Sequence, residues 1–445
     1  MTTHHPLLDA PVTRTILRLS APNVAALVAV ALTVGYDGYL VGKLGADALA
    51  GVSLVLPLSM LMMQMSAAGI GGGAASSIAR ALGAGRHQDA ESLAMHALVL
   101  AAVLGLLAGA TALLFGPMLY RMLGGRGAAL ELAEAYALPI LGCTVAPWVL
   151  NTAGAIYRGT GNMNIPSLSM IACGLGHVLL GPLLVFGWGP VPAFGVTGAG
   201  LSLIFLYSVA GIVMLYLLTL PDAPLRLKKQ RLHRRVFKTL LTAGAPAAVS
   251  PLLSNVCVIV LTGYAGVFGT AALAGYGIGT RLEYILIPLA FGVGSTLLTL
   301  VGMNVGAGRF DQGKRTAWIG SLLVAAMTGS AGALVAIWPE VWTGFFTSDP
   351  AVGDAGIVYL KIVGPFYSLF GFGLAMFFAS QGAGRLRWPL AASALRLICV
   401  VFAGAAVAHA AGGSLAGLAW VVGASFCTYA LVISAAVRFA AWSSR

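Results

Sequence analysis

Charge is absent from most of this chain, and it is absent in blocks. Of 445 residues, the stretches 48–79, 92–120, 135–157, 159–221, 239–280, 284–308, 316–339, 362–384 and 397–437 hold no Asp, Glu, Lys or Arg. A bilayer core takes about 20 apolar residues per helix. Each block therefore admits a crossing, and 159–221 admits two, divided at the Gly/Pro cluster GWGPVPAFG of 187–195. A first helix is expected over 16–41 with Asp37 inside it, and a further one entering 389–410, which makes twelve. Runs of this length lack the alternation of membrane strands and exclude a barrel. Only 9% of the residues are charged and the mean hydropathy is +0.93, whereas a soluble domain carries about a quarter charged residues. The chain is an all-α integral membrane protein.

The charges that exist are unevenly placed. With the N-terminus inside, 19 of the 25 Lys and Arg fall in cytoplasmic segments, seven of them in 221–238. Lys43, Arg121 and Arg126 occupy outer loops, and Arg281, Lys361 and Arg396 remain within or beside spans. That asymmetry is the positive-inside signal, so both termini are expected in the cytoplasm. It accounts for a net charge of +12 without nucleic acid. The opening MTTHHPLLDAPVTRT lacks the apolar centre of a signal peptide, so the first helix is expected to be retained. The five cysteines stand singly in apolar stretches, without zinc, redox or disulfide spacing.

The halves repeat. GAGR stands at 83–86 and 306–309; RGTGNMNIP (158–166) pairs with QGAGRLRWP (381–389), LGADALAG (44–51) with FGTAALAG (268–275), and SAPN (20–23) with GAPA (244–247). The offset is 223 or 224 each time, half the chain. This divides it into a six-helix lobe over 1–220, a basic cytoplasmic linker over 221–238 and a second six-helix lobe over 239–445. Six crossings are an even number, so both lobes share one orientation and are related by a pseudo-two-fold axis along the membrane normal. A cavity near the midplane between such repeats is an alternating-access layout.

The stretch DGYLVGKLGADALAGV (37–52), the GAGR after helices 2 and 8, and the RGTGN-x-x-x-P after helix 4 resemble the MATE (multidrug and toxic compound extrusion) family over essentially the whole chain. The resemblance implies two six-helix bundles forming a V. It also implies an antiporter that expels organic, often cationic or amphiphilic, compounds against a proton or sodium gradient. Asp37 matches the family's helix-1 acid and Pro22 a helix-1 proline that acts as a hinge in part of the family. The acids that many members carry on helices 7 and 10 are missing here, where Ser254–Asn255 and Phe370 stand. That resembles the branch with coupling in the first lobe. On helix 5 the expected Asn-x-x-x-Asp-Pro becomes His177 and Gly181 before Pro182, and an expected helix-6 threonine falls near Leu203. So many lost oxygen ligands favour protons over sodium.

Asp37 also stands out on physical grounds, because a charge inside a span costs several kcal/mol. Asn23, Ala26, Val30 and Thr33 share its helix face, a narrow and partly polar stripe. The plain alternative is that Asp37 sits near the outer end and reaches headgroup water. His177, if it approaches Asp37, would titrate with it as one unit. Arg281 and Glu283 lie two apart, face different ways and read as structural pins. Gln64, Asn151, Asn255, Tyr284 and Tyr367, together with Asn23 and Thr33, are candidate substrate contacts. Met60, Met62, Met63 and Met65 could form an adaptable surface, but four so close point in several directions and most are expected to face lipid or core, while Trp338, Trp342 and Trp388 are expected to anchor at the interface.

No phosphate-binding spacing is present, so a gradient rather than ATP must supply the energy. The expected protein is a monomeric, multi-pass, cofactor-free, proton-coupled multidrug exporter of a bacterial inner membrane, with organic substrates and no nucleic-acid partner. Sodium-coupled efflux and a flippase for lipid-linked saccharides are the near alternatives. A membrane-embedded enzyme would need clustered acids and histidines that this chain lacks, and a non-transporting scaffold would tolerate Asp37→Asn.

Overall fold

The computed structural model describes residues 6–228, 230–410 and 412–440. The MTTHH start, Lys229 and Arg445, which enter the reading of the N-terminus and the count of inside cations, lie outside the described residues. The spanning helices are α1 (Val12–Gly42), α2 (Ala46–Gly83), α3 (His87–Met122), α4 (Gly127–Gly142 with Val145–Gly159), α5 (Asn164–Phe186), α6 (Val196–Leu217), α7 (Arg234–Val267), α8 (Thr270–Gly306), α9 (Phe310–Ile337), α10 (Pro350–Gly382), α11 (Arg387–His409) and α12 (Leu415–Phe439). Among the described residues there is no strand, only an isolated bridge between Trp188 and Val191 in the α5–α6 connection.

α4 differs from the sequence reading. It begins at Gly127 rather than near 135, because Glu131 and Glu134 are exposed and do not interrupt the helix. It also bends by 45° between its two pieces. At the bend the Thr144 hydroxyl donates to the Leu141 carbonyl at 2.6 Å, taking up an acceptor that the continuing helix would have used.

The sequence repeat is also a repeat of backbone geometry. After α2, the Arg86 N–H donates to Ala81 O at 2.9 Å and the Gly85 N–H to Leu82 O at 2.9 Å. After α8, Arg309 donates to Asn304 O at 2.8 Å and Gly308 to Val305 O at 3.1 Å. Both are Schellman caps, and Gly85 (φ 73°) and Gly308 (φ 74°) take the left-handed position such a cap requires. The two arginines then part company. Arg86 pairs with Asp89 at the surface, while Arg309 holds Asp9 at 2.7 Å.

The chain forms two compact units. One runs from Ala21 to Ala248; the other joins the residues up to Ser20 with those from Val249 onward. The exchange points therefore fall inside α1, one residue before Pro22, and inside α7, two residues after Pro246. The basic segment 221–238 belongs to the first unit, where Lys228 pairs with Glu91 at 3.3 Å. There the buried His96 accepts the His233 N–H on Nε2 at 2.8 Å. Its Nδ1 lies 2.7 Å from the Ser92 carbonyl, so Nδ1 is the protonated nitrogen and both ring nitrogens are satisfied.

Each unit has its own core. In the first, Val52, Val55, Tyr120, Tyr136 and Leu141 pack together. α2 and the start of α7 approach so closely that a Cβ on Gly73 would lie 2.8 Å from Gly244 Cα. In the second, Tyr359, Tyr367, Leu282 and Phe426 are at its centre.

Candidate cation-coupling and substrate site

Asp37 is 5% exposed, on the inner face of α1. Its Oδ2 accepts the Tyr136 hydroxyl of α4 at 2.9 Å, and its Oδ1 lies 3.3 Å from Nε2 of His177 on α5. That second approach is at ion-pair distance but out of hydrogen-bond alignment, which leaves both atoms without a hydrogen-bond partner. On the far side of the ring, His177 Nδ1 lies 2.6 Å from the Ser202 hydroxyl of α6. Four helices thus feed one buried polar chain, and the alternative that Asp37 merely reaches headgroup water does not hold for a carboxylate placed this way.

Glycine makes the α1–α5 approach possible. Gly174 and Gly181 lie three residues before and four after His177, on its own face of α5. A Cβ on Gly174 would come within 2.6 Å of Thr33 Oγ1, and one on Gly181 within 2.9 Å of Leu40 Cδ1. Gly181 is where the resemblance expects an aspartate; here the position contributes proximity instead of a ligand.

Asp37 borders a cavity of about 280 Å³ within the first unit. α1 contributes Val30, Thr33 and Val34 to the wall; α2 contributes Met60, Met62, Met63 and Gln64. Tyr136 and Trp148 come from α4, Cys173 from α5, and Leu203 and Tyr207 from α6. Asp37 is the one charged residue among those that line it. Three of the four α2 methionines therefore face this space, against the expectation of lipid or core. Their thioethers give an adaptable apolar wall beside the carboxylate. Just beyond them α2 widens into a π-helical turn, Met65–Gly71, the kind of irregularity that accompanies functional sites.

Of the expected contacts, Thr33 and Gln64 line the cavity. Asn23 accepts the Ser167 hydroxyl at 3.1 Å, and Asn151 reaches Ser66 at 3.5 Å; neither borders it. Pro22 lies within an unbroken helix, where its missing N–H leaves α1 one bond short. The remaining candidates belong to the second unit. Asn255 donates to the Pro251 carbonyl at 2.9 Å, Tyr284 is 62% exposed, and Tyr367 is fully buried. Arg281 and Glu283 do face apart: Arg281 stacks over Phe346, and buried Glu283 accepts from the Tyr359 hydroxyl at 3.5 Å. At Phe370, where many members carry an acid, the ring instead lies under the Arg396 guanidinium, which also covers Phe426 at 4.9 Å. Trp342 donates its Nε1–H to Ile278 O at 3.1 Å and is pinned inside a helix contact.

Tyr136, Ser202 and Tyr207 were not singled out by the sequence. Each is a hydroxyl within an apolar run, and only the packing of α4 and α6 brings Tyr136 to Asp37, Ser202 to His177 and Tyr207 to the cavity wall.

Among the described residues, eleven apolar helices and one bent helix pair long enough to cross a membrane, with a single carboxylate on the wall of an apolar cavity, define a membrane transporter. The MatE family model matches residues 22–183 and again 246–407, the two copies starting at equivalent prolines. The chain belongs to the MATE family. An FAD transporter of Shewanella oneidensis is 25% identical over 82% of this chain and 80% of its own length. A probable multidrug resistance protein NorM of Thermotoga maritima is 28% identical over 72% and 69%, and the multidrug export protein MepA of Staphylococcus aureus 23% identical over 88% and 86%. An outward-facing multidrug resistance MATE family transporter of the MOP superfamily superposes with a TM-score of 0.90 at 25% identity over 98% of both chains. A MOP superfamily transporter from Pyrococcus furiosus gives 0.90 at 24%.

Proposed function

We propose that this protein is a proton-coupled multidrug antiporter that exports organic cations and amphiphiles by alternating access. It works as a monomer in a bacterial inner membrane, with both termini in the cytoplasm and six helices on each side of the linker. The observation that carries this reading is the buried Asp37 on the wall of an apolar, methionine-lined cavity, with His177 behind it at ion-pair distance. A carboxylate there serves either a cationic substrate or a proton, and competition between the two supplies the differential affinity that coupling requires.

The neighbours of Asp37 favour protons over sodium. They are a phenol that donates and an imidazole nitrogen, and the Thr33 hydroxyl is already committed to Ala29 O at 2.8 Å. Dinucleotides and lipid-linked diphosphates fit poorly, because no Lys or Arg borders this cavity; this separates the chain from what the name of its Shewanella relative describes.

The test is efflux of a fluorescent organic cation from proteoliposomes under separate proton and sodium gradients. Wild type is expected to respond to the proton gradient and Asp37→Asn to neither. Sodium-driven efflux, or proton-driven efflux that survives in the mutant, would overturn the reading. Uptake of FAD with no movement of cations would replace the substrate class.

A further inference from the structure

Ser202 has one hydroxyl proton and two polar neighbours. The Ala199 carbonyl oxygen lies 2.9 Å away and His177 Nδ1 2.6 Å away. The carbonyl can only accept. If the hydroxyl donated to Nδ1, two oxygens would face each other at 2.9 Å with no hydrogen between them. The network is satisfied when Ser202 donates to Ala199 O and accepts from a protonated Nδ1. That assignment leaves Nε2 as the nitrogen facing Asp37 Oδ1, 3.3 Å distant.

Proton counting then gives the pair two states. With one proton between Oδ1 and Nε2 the contact is attractive, whichever atom carries it. When that proton leaves to water, an anionic carboxylate oxygen and an unprotonated imidazole nitrogen remain 3.3 Å apart, two electron-rich atoms that repel. Nothing nearby offsets the loss. Tyr136 of α4 already donates to the other carboxylate oxygen. Tyr36 of α1 meets the imidazole edge-on at 6.1 Å and sends its hydroxyl to Val178 O. Tyr207 of α6 and Cys173 of α5 border the same space, which no cation lines.

We propose that Ser202 is a positioning residue that holds the His177 proton on Nδ1 and so makes the α1–α5 contact conditional on one further, exchangeable proton. The proposal rests on the reading that Asp37 and His177 carry the coupling proton. Without the hydroxyl, the neutral ring is released from Ser202, free to keep its proton on Nε2 and to turn so that it donates to the Asp37 carboxylate. The contact then survives deprotonation, and the proton no longer controls the helix.

The experiment pairs two measurements on the full chain in lipid nanodiscs. Nitrogen NMR of labelled histidine, with His177 assigned by His177→Gln, reads the tautomer of the neutral ring. Spin labels at the exposed positions 32 and 179 read the α1–α5 distance across a pH titration. Wild type and Ser202→Thr are expected to show Nδ1–H and a distance that changes as the pair deprotonates. Ser202→Ala is expected to show Nε2–H and to lose that change. A wild-type neutral ring protonated on Nε2 overturns the proposal without any variant, as does a Ser202→Ala protein with wild-type pH response. The two readings fail separately. Proton-driven efflux in Asp37→Asn removes the coupling role of the pair, while Nε2–H on wild-type His177 removes the role of Ser202 even if that pair carries the proton.

Discussion

The carboxylate of Asp37 is held from two sides by groups of different kinds, and this makes its partners separable by mutation. Tyr136 donates to Oδ2, and a hydrogen bond to a charged group contributes about 1.5–3 kcal/mol. Tyr136→Phe removes that donor while keeping the ring that fills the core. Proton-driven efflux in proteoliposomes is expected to fall roughly tenfold or more, as 1.4 kcal/mol per decade implies, with binding of the organic cation retained. Asp37 and His177 were legible as candidates because a charge and an imidazole inside apolar spans are conspicuous, and the resemblance placed both. Tyr136 was not, since it lies 99 residues from Asp37 and a tyrosine in a span has no feature that says which neighbour it meets. The same ambiguity ran the other way for Tyr284 and Asn255: their polarity was visible, but the face each occupies was not.

Among the elements, α5 shows how close packing replaces a missing ligand. Gly174→Ala and Gly181→Ala would put methyl groups against Thr33 and Leu40, pushing α5 off α1 where His177 must reach Asp37. Each variant is expected to fold, to bind drug and to lose most of its response to a proton gradient, measured as the ratio of efflux with and without that gradient. The matched turns offer a second test. Gly85→Ala and Gly308→Ala both force a side chain into the left-handed region, at about 1–2 kcal/mol. Equal losses in thermal unfolding would show that the repeated caps are energetically as well as geometrically alike. The twelve spans and the repeated turns could be read from charge-free runs and spaced glycines. The bend in α4 also carried a signal that went unread: Pro147 has no N–H for the Cys143 carbonyl and its ring crowds that residue, at the point where the helix breaks.

Across the whole molecule, the segment 221–238 reads in sequence as a tether and in structure as a docked piece of the first unit. His96 holds it by accepting the His233 N–H; His233 itself is exposed, so His96→Ala hands that donor to water and costs one net hydrogen bond, about 0.5–1.5 kcal/mol. Faster tryptic cleavage at Arg231 and Arg234 is the expected readout. The chain instead passes between its two units within α1 and α7. Each half of the polypeptide has therefore lent the opening of its first helix to the body built mainly by the other, an intramolecular counterpart of domain swapping. Two fragments produced by cleavage near residue 229 are expected to remain together through purification in mild detergent. A half-length chain cut at the linker would lack the body that receives its own first turns.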